Sequence, residues 1–455
     1  MHRIALTVLL GALLTTATAR AGNSDEVNGG LDVTLTGGAV VAITYTGAAL
    51  WYNPAGIAQI NKASLELTGV TMQIQILKVP GLLTIDTDPQ AKSEGKTVSF
   101  TVVPQAVTFT IGLRENLKLG VGLFNSSIRR AFVTEQVKTA SGILPEARAV
   151  GGQDSKIDFF HISGGLAGTF GQKQKVLVGG AFDFVVAKAR TDRTQSIFYD
   201  GGVAGFSTLG DVATETGFGV QIKGGIQWVP IPKVRIGLSI ASPTFAFVII
   251  ERFANNLGQS PPVGTTLPSG DPNAQTSVGA ESRGTSGGWW GVEPGNLRFG
   301  IAYLGDWGWI EADLVAQWRL RTAELDIDMQ ATVNGRIGSA FRLTKHVHLG
   351  LGLFTDRSQI DELQVAPFAT TDVNFYGAQL GFLFSNREVH PGRPSEAQSQ
   401  KGGFAVAFGF RYSHGRGQAL GVLFPAQYDP SSITREGTSG KINEIGLNIG
   451  ANVSF

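Results

Sequence analysis

Apolar and polar residues alternate along most of this chain. In the closing stretch KINEIGLNIGANVSF, Ile445, Leu447, Ile449, Ala451, Val453 and Phe455 share one face, and Gly446, Asn448, Gly450, Asn452 and Ser454 share the other. FAVAFGFRY sets Phe404, Val406, Phe408, Phe410 and Tyr412 against Ala405, Ala407, Gly409 and Arg411, and NLRFGIAYL sets Leu297, Phe299, Ile301 and Tyr303 against Arg298, Gly300 and Ala302. A period of two marks a β-strand with two unlike faces. About fourteen such segments can be traced, near 63–78, 96–113, 117–133, 156–170, 175–190, 213–228, 233–251, 289–303, 307–321, 331–343, 347–356, 372–385, 402–415 and 441–455.

The connections alternate in length. Arg114–Leu117, Gly171–Gln174, Pro230–Pro232, Gly305–Asp306 and Thr344–His346 are short, whereas Thr134–Ser155, Thr191–Val212 and Phe253–Gly288 read as long loops. Asn386–Lys401 is long where a short turn is due, which counts against the register near 385–402. Many segments exceed the ~5–6 residues usual for strands of soluble sheets. Their second face, built of Gly, Ala, Asn, Gln and Arg, is too polar to pack as another core. A closed transmembrane barrel accounts for both faces, because apolar side chains then meet lipid, polar ones meet a lumen, and no backbone edge is left in hydrocarbon. Trp228, Trp289, Trp290, Trp307, Trp309 and Trp318 fall at segment ends, where interfacial girdles lie. The pattern therefore predicts an all-β fold: a transmembrane antiparallel β-barrel of about 14 strands, over residues 63–455.

Composition agrees. Charged residues make up 16% of the 455, against ~25% in soluble domains, and 61 are Gly. A net charge of +1 gives no basic surface for nucleic acid, and the absence of Cys excludes disulfides and thiolate metal sites. The first 21 residues, MHRIALTVLLGALLTTATARA, join a basic start (His2, Arg3) to an apolar core and an Ala19-Arg20-Ala21 site. That is the form of a secretory signal peptide, with the mature chain starting at Gly22. Its core is far shorter than the ~20 residues of a membrane-spanning helix, and the apolar run Phe245–Ile250 stops at Glu251 and Arg252. The chain reads as exported to the bacterial outer membrane.

One stretch breaks the alternation. ALWYNPAGIAQI, Ala49–Ile60, is apolar, yet Asn53-Pro54-Ala55-Gly56 interrupts it. Proline removes a backbone donor and biases the preceding residue toward extended conformations, so no helix runs through Asn53. Other motifs carry little. Glu94–Thr97 lacks the first glycine of a phosphate loop, since residue 90 is Gln. Gly284–Gly288 matches a nucleophile-elbow pattern without the strand and helix it needs. His346 and His348 share a face with no third ligand nearby, and Asn125–Ser127 is a bare glycosylation sequon. No catalytic residue, metal site or cofactor is read, and the chain is not expected to be an enzyme. On the phase set by the apolar faces, Arg298, Glu311, Asp313, Gln317, Arg319, Arg336, Arg342, Arg411, Asp183, Gln221 and Lys223 point inward. They either pair with one another or, for Arg298, Arg319, Arg336, Arg411 and Lys223, hold a polar head in transit.

TGAALWYNPAGIAQI, preceded by Gly37-Gly38-Ala39, resembles the N-terminal segment of the FadL/TodX outer-membrane transport proteins, which carry an Asn-Pro-Ala motif soon after the signal peptide. Val102–Phe124 resembles the second and third strands of that family, Pro294–Trp318 its hairpin ending in Glu-Ala-Asp and Trp, and GGFAVAFGFRY and the strand ending in Phe455 fit as well. Phe124-Asn125-Ser126-Ser127 departs from the family, standing where many members have Pro-Phe-Gly. The resemblance implies a barrel plugged by an N-terminal hatch, here residues 22–62, that passes long-chain fatty acids or aromatic hydrocarbons by diffusion and releases them sideways through the wall. Trp51, Tyr52, Asn53, Pro54, Ala55 and Gly56 would lie on the substrate path at the hatch, and Phe245, Phe247 and Phe253 at an apolar loop entrance. Expected partners are a hydrophobic small molecule, outer-membrane lipid and lipopolysaccharide, and the barrel-assembly machinery through the terminal Phe455, with the protein a monomer. A barrel lipid hydrolase and an open porin for polar solutes are the alternatives.

Overall fold

A computed structural model describes residues 29–60, 63–69, 71–87, 89–103, 105–139, 146–171, 175–200, 205–260, 275–322, 327–360, 371–386, 402–425 and 434–455. The signal peptide at 1–21, the first hatch residues and most of Asn386–Lys401 lie outside the described residues.

Fourteen strands form the wall: β1 (Ser64–Thr68 and Thr71–Lys78), β2 (Lys96–Val103 and Ala106–Arg114), β3 (Leu117–Lys138), β4 (Glu146–Phe170), β5 (Val176–Asp200), β6 (Gly205–Ile231), β7 (Val234–Ala241 and Thr244–Ser260), β8 (Gln275–Glu293 and Asn296–Gly305), β9 (Gly308–Gln317 and Leu320–Thr322), β10 (Ile327–Met329 and Thr332–Arg342), β11 (Val347–Asp356), β12 (Thr371–Ser385), β13 (Gly403–Pro425) and β14 (Thr434–Ser454). Each pairs antiparallel with the next, and β1 pairs with β14, from Ser64↔Ser454 to Lys78↔Lys441, so the sheet closes on itself. Every segment expected from the alternation falls on one of these strands. The expected loops do not all hold. Much of 134–155, 191–212 and 253–288 is strand, because β3 to β8 run on as paired hairpins, and Gly284–Gly288 lies within β8. The β12–β13 ladder is regular from Thr371↔Ala419 to Ser385↔Ala405, so the long connection at 386–401 joins the strands in the register expected without it.

The alternation predicts orientation as well as strands. Leu297, Phe299, Ile301 and Tyr303 are 38–43% exposed, while Arg298 between them is 4% exposed. Outward apolar side chains recur around the ring, as Leu123, Ile162, Phe182, Ile222, Leu353 and Ile445 illustrate, and they form the band a bilayer would cover. Trp228, Trp289, Trp307 and Trp318 belong to it, with Trp307 stacked on Phe341 at 5.4 Å. Trp309 does not: its ring is 1% exposed and packs inside with Leu304, Ala302, Ala340 and Ala407. Trp309 is on the inward phase of β9, next to outward Ile310 at 44% exposure, whereas Trp307 lies in the turn before that strand.

Residues 29–60 are enclosed by this wall. Helix α1 (Leu31–Thr36) lies against β10 to β14, while the 3-10 turn Pro54–Gln59 lies against β3 to β6 on the other side of the ring. Nearly every residue of the segment is buried. Helix α1 ends at Gly37, whose φ of +65° is the left-handed conformation a glycine takes at low cost, with its N–H on Val33 O at 3.0 Å.

Candidate functional site

The interrupted stretch folds as its proline demands. Helix α2 (Ala49–Tyr52) stops before Asn53, which is extended at φ −158° and ψ 101°. Pro54 then opens the 3-10 turn, where its missing N–H costs nothing. The Asn53 side chain works on both sides of this break. Its Oδ1 accepts from Ala55 N at 3.2 Å, and its Nδ2 donates to Val41 O at 2.8 Å and to Ile226 O of β6 at 3.1 Å. One side chain thus caps the turn, ties two stretches of the enclosed segment and fixes both to the wall. Trp51, Tyr52, Pro54, Ala55 and Gly56 are all buried beside it.

Carboxylates hold the rest of the segment. Asp313 Oδ2 accepts from Val40 N at 2.7 Å and Val41 N at 3.1 Å, and Glu311 Oε1 accepts from Ala42 N at 2.5 Å. Glu66 of β1 accepts from Leu31 N at 2.9 Å and Gly47 N at 2.7 Å. These bonds satisfy amides that would otherwise be orphaned in a dry interior. Within the segment, burial pushes the Asp32 carboxyl above the ordinary carboxylate range. A carboxyl with a raised folded-state pKa favours the packed segment at acidic pH and loses that contribution as pH rises through the shifted value. We therefore expect Asp32→Asn to make protease resistance of residues 29–60 less pH-dependent from acidic to neutral pH, read by limited proteolysis.

Four of the five inward cations bear on the segment or its surroundings. Lys223 Nζ sits 2.6 Å from Asp183 Oδ2 and 4.0 Å above the Trp51 ring. Arg298 Cζ lies 5.1 Å from the Tyr52 ring, Arg336 Nη1 donates to Gly38 O at 3.3 Å, and Arg411 Cζ is 3.9 Å over Phe354. Arg319 corrects the expectation. It is 57% exposed and bonds to Asp328 across the gap between the two parts of β9 and β10, where the alternation is interrupted at Trp318-Arg319. An exposed ion pair is worth about 0–1 kcal/mol. We expect Arg319→Ala to leave barrel stability, measured by heat-modifiable gel mobility, unchanged.

The aromatic trio is also placed elsewhere than expected. Phe245 and Phe247 are on β7 in the wall, not in a loop. Phe245 is 38% exposed, and Phe247 packs edge-on against Trp289, itself 67% exposed, at 5.8 Å, so both belong to the outward aromatic belt. Phe253 pairs with Ala213 and Glu281 in the same strand, and its side chain lies outside the described residues. His346 is exposed in its turn while His348 is buried, so the two do not share a site.

Two features were not read from the sequence. His161 of β4 is 1% exposed, edge-on to Trp51 at 4.8 Å, with Nδ1 3.2 Å from Asp183 Oδ2 and Nε2 3.5 Å from Glu293 Oε2. Its inward phase, between outward Phe160 and Ile162, was the available signal. The second is in the wall: the β2–β3 ladder ends at Ala106↔Phe124, and among the described residues none pairs Lys96–Val103 with β3 above that point.

Closed fourteen-stranded wall, outward apolar band and enclosed N-terminal segment together define the fold of FadL-type outer-membrane channels. A Pseudomonas aeruginosa FadL homologue is similar to this chain over 96% of its length and 99% of the homologue's, with a TM-score of 0.56 and 12% identity. The CymD monoaromatic hydrocarbon channel (TM-score 0.55, 14% identity, 94% and 98% covered) and the Ralstonia pickettii toluene transporter TbuX (0.54, 13%, 94% and 99%) are similar in the same way. No family model and no curated protein sequence matches the chain.

Proposed function

We propose that this protein is an outer-membrane channel for hydrophobic compounds, in which residues 29–60 act as a hatch. The observation that carries the reading is the enclosed segment itself, fixed to the wall by side-chain bonds to its backbone, in a barrel whose β2–β3 ladder, among the described residues, ends at Ala106↔Phe124. Such an arrangement suits apolar cargo. A compound that crosses the polar lipopolysaccharide layer poorly gains a protein path, and the unladdered stretch gives it a way out sideways into the bilayer. No chemistry is needed, and the similar solved structures bear the titles of a FadL homologue, a hydrocarbon channel and a toluene transporter. Expression in cells lacking their own transporter should restore uptake of a labelled long-chain fatty acid or of toluene. If no apolar compound is taken up, the reading fails; a steady ion conductance of the unaltered protein in planar bilayers would make it an open porin instead.

A further inference from the structure

The inner face beside Trp51 is unexpectedly polar for a path meant for hydrocarbon. Ser163 of β4, Asp183 of β5 and Gln221 of β6 are cross-strand neighbours in one row, through Ser163↔Asp183 and Gln221↔Asp183. Cross-strand neighbours on one face have Cβ atoms ~4.5–5.5 Å apart, so these three side chains adjoin. All three are buried, at 2, 0 and 5% exposure, and Ser163 Oγ, Asp183 Oδ1 and Gln221 Oε1 have no hydrogen-bond partner; neither has Nε1 of Trp51, whose ring meets His161 edge-on at 4.8 Å. Gln221 is not simply misdirected, since its Nε2 donates to Ser242 O at 3.0 Å and so fixes where Oε1 points.

An orphaned buried polar atom is costly, and here several lie in one row whose neighbours His161 and Lys223 touch the Trp51 ring. The closed arrangement is therefore loaded: whatever displaces Trp51 and supplies hydrogen bonds recovers that cost. Charged groups already face one another here, with Lys223 Nζ 2.6 Å from Asp183 Oδ2 and His161 between Asp183 Oδ2 at 3.2 Å and Glu293 Oε2 at 3.5 Å. A carboxylate would bring a third negative charge beside Asp183 and Glu293, which is costly in a dry site. A bare hydrocarbon would leave every one of these atoms desolvated. A hydroxyl both donates and accepts, and so answers acceptors such as Asp183 Oδ1 and Gln221 Oε1 together with donors such as Trp51 Nε1.

We infer that the polar island of Ser163, Asp183, Gln221 and His161 is a binding subsite, opened when Trp51 moves aside, for the hydroxyl of a neutral amphiphile such as a phenol or an alcohol. The inference rests on the channel reading and narrows its cargo. Phe124, 5.6 Å from Trp51, supplies the apolar wall on which the ligand's ring would lie.

Equilibrium dialysis of radiolabelled 1-naphthol, naphthalene and 1-naphthoate against the full-length protein in nanodiscs, with empty nanodiscs as blank, tests it. Naphthol should bind at least about tenfold more tightly than either analogue, the scale of one well-placed hydrogen bond. Ser163→Ala combined with Gln221→Leu should erase that preference while naphthalene binding stays, and Trp51→Ala should strengthen naphthol binding. Naphthalene binding as tightly as naphthol, or naphthoate binding tightest, overturns the inference while leaving the channel reading intact. Binding of none of the three, together with no uptake of any apolar compound, sinks both. The comparison of ligands on the unaltered protein decides the matter even where a variant fails to assemble.

Discussion

Replacing Gly179 and Gly237 together with Val is expected to turn the closed barrel into an open pore. Both glycines face inward where the enclosed backbone comes closest. A Cβ on Gly179 would lie 2.5 Å from Pro54 C and O, and one on Gly237 would lie 2.3 Å from Val41 O. Those neighbours are backbone atoms, which cannot swing away as a flexible side chain could. Val suits a strand well, so the wall ladders of β5 and β7 have no reason to break. The segment must yield instead. Overpacking costs about 1–3 kcal/mol per site, so two sites shift the closed-to-open balance by about 30- to 25,000-fold. In planar bilayers the variant should pass a steady ion current that the parent lacks. An intact barrel with unchanged conductance would mean that residues 29–60 do not seal the lumen.

The second large effect concerns the break itself. Asn53→Ala with Pro54→Ala should leave assembly intact, as heat-modifiable mobility would report, while cutting uptake of an apolar tracer by about tenfold or more. Asn53 carries three bonds: the cap to Ala55 N, the tie to Val41 O and the tie to Ile226 O of the wall. Neutral bonds of this kind contribute about 1 kcal/mol each, and a lost N-cap adds about as much. That is enough to unfix the turn that sets Trp51 and Tyr52, yet small beside the ladders that join fourteen strands. Should assembly collapse, the motif serves the fold and not the gate.

Much of this could be read from the residues in order. A period of two needs only neighbours to be visible, so strands, their inward and outward faces and the break at Asn53 were all legible, down to the buried Arg298 between exposed Leu297 and Phe299. Legibility ended where the local pattern faltered. Arg319 was assigned inward by continuing the phase of β9 past Trp318, but the ladder stops at Gln317 and the side chain turns to solvent. Phe245 and Phe247 fall in the strand segment 233–251, and an apolar run ahead of a long connection suggests an entrance; the β7–β8 ladder instead runs on to Gln259.

The sequence by itself determined the barrel, since alternation and exclusion of unpaired backbone from lipid leave no other way to bury such faces. It also determined where the enclosed chain must bend, since proline's ring acts on its immediate neighbours. Only the tertiary structure decided what the inward residues do. Many inward glycines serve as clearances for a backbone more than a hundred residues away in the chain, as Gly237 does for Val41. Asp313 and Glu311 are anchors for amides, and His161, Ser163, Asp183 and Gln221 adjoin near Trp51, because closing the sheet and threading residues 29–60 through it brings distant positions together. No local rule encodes those distances.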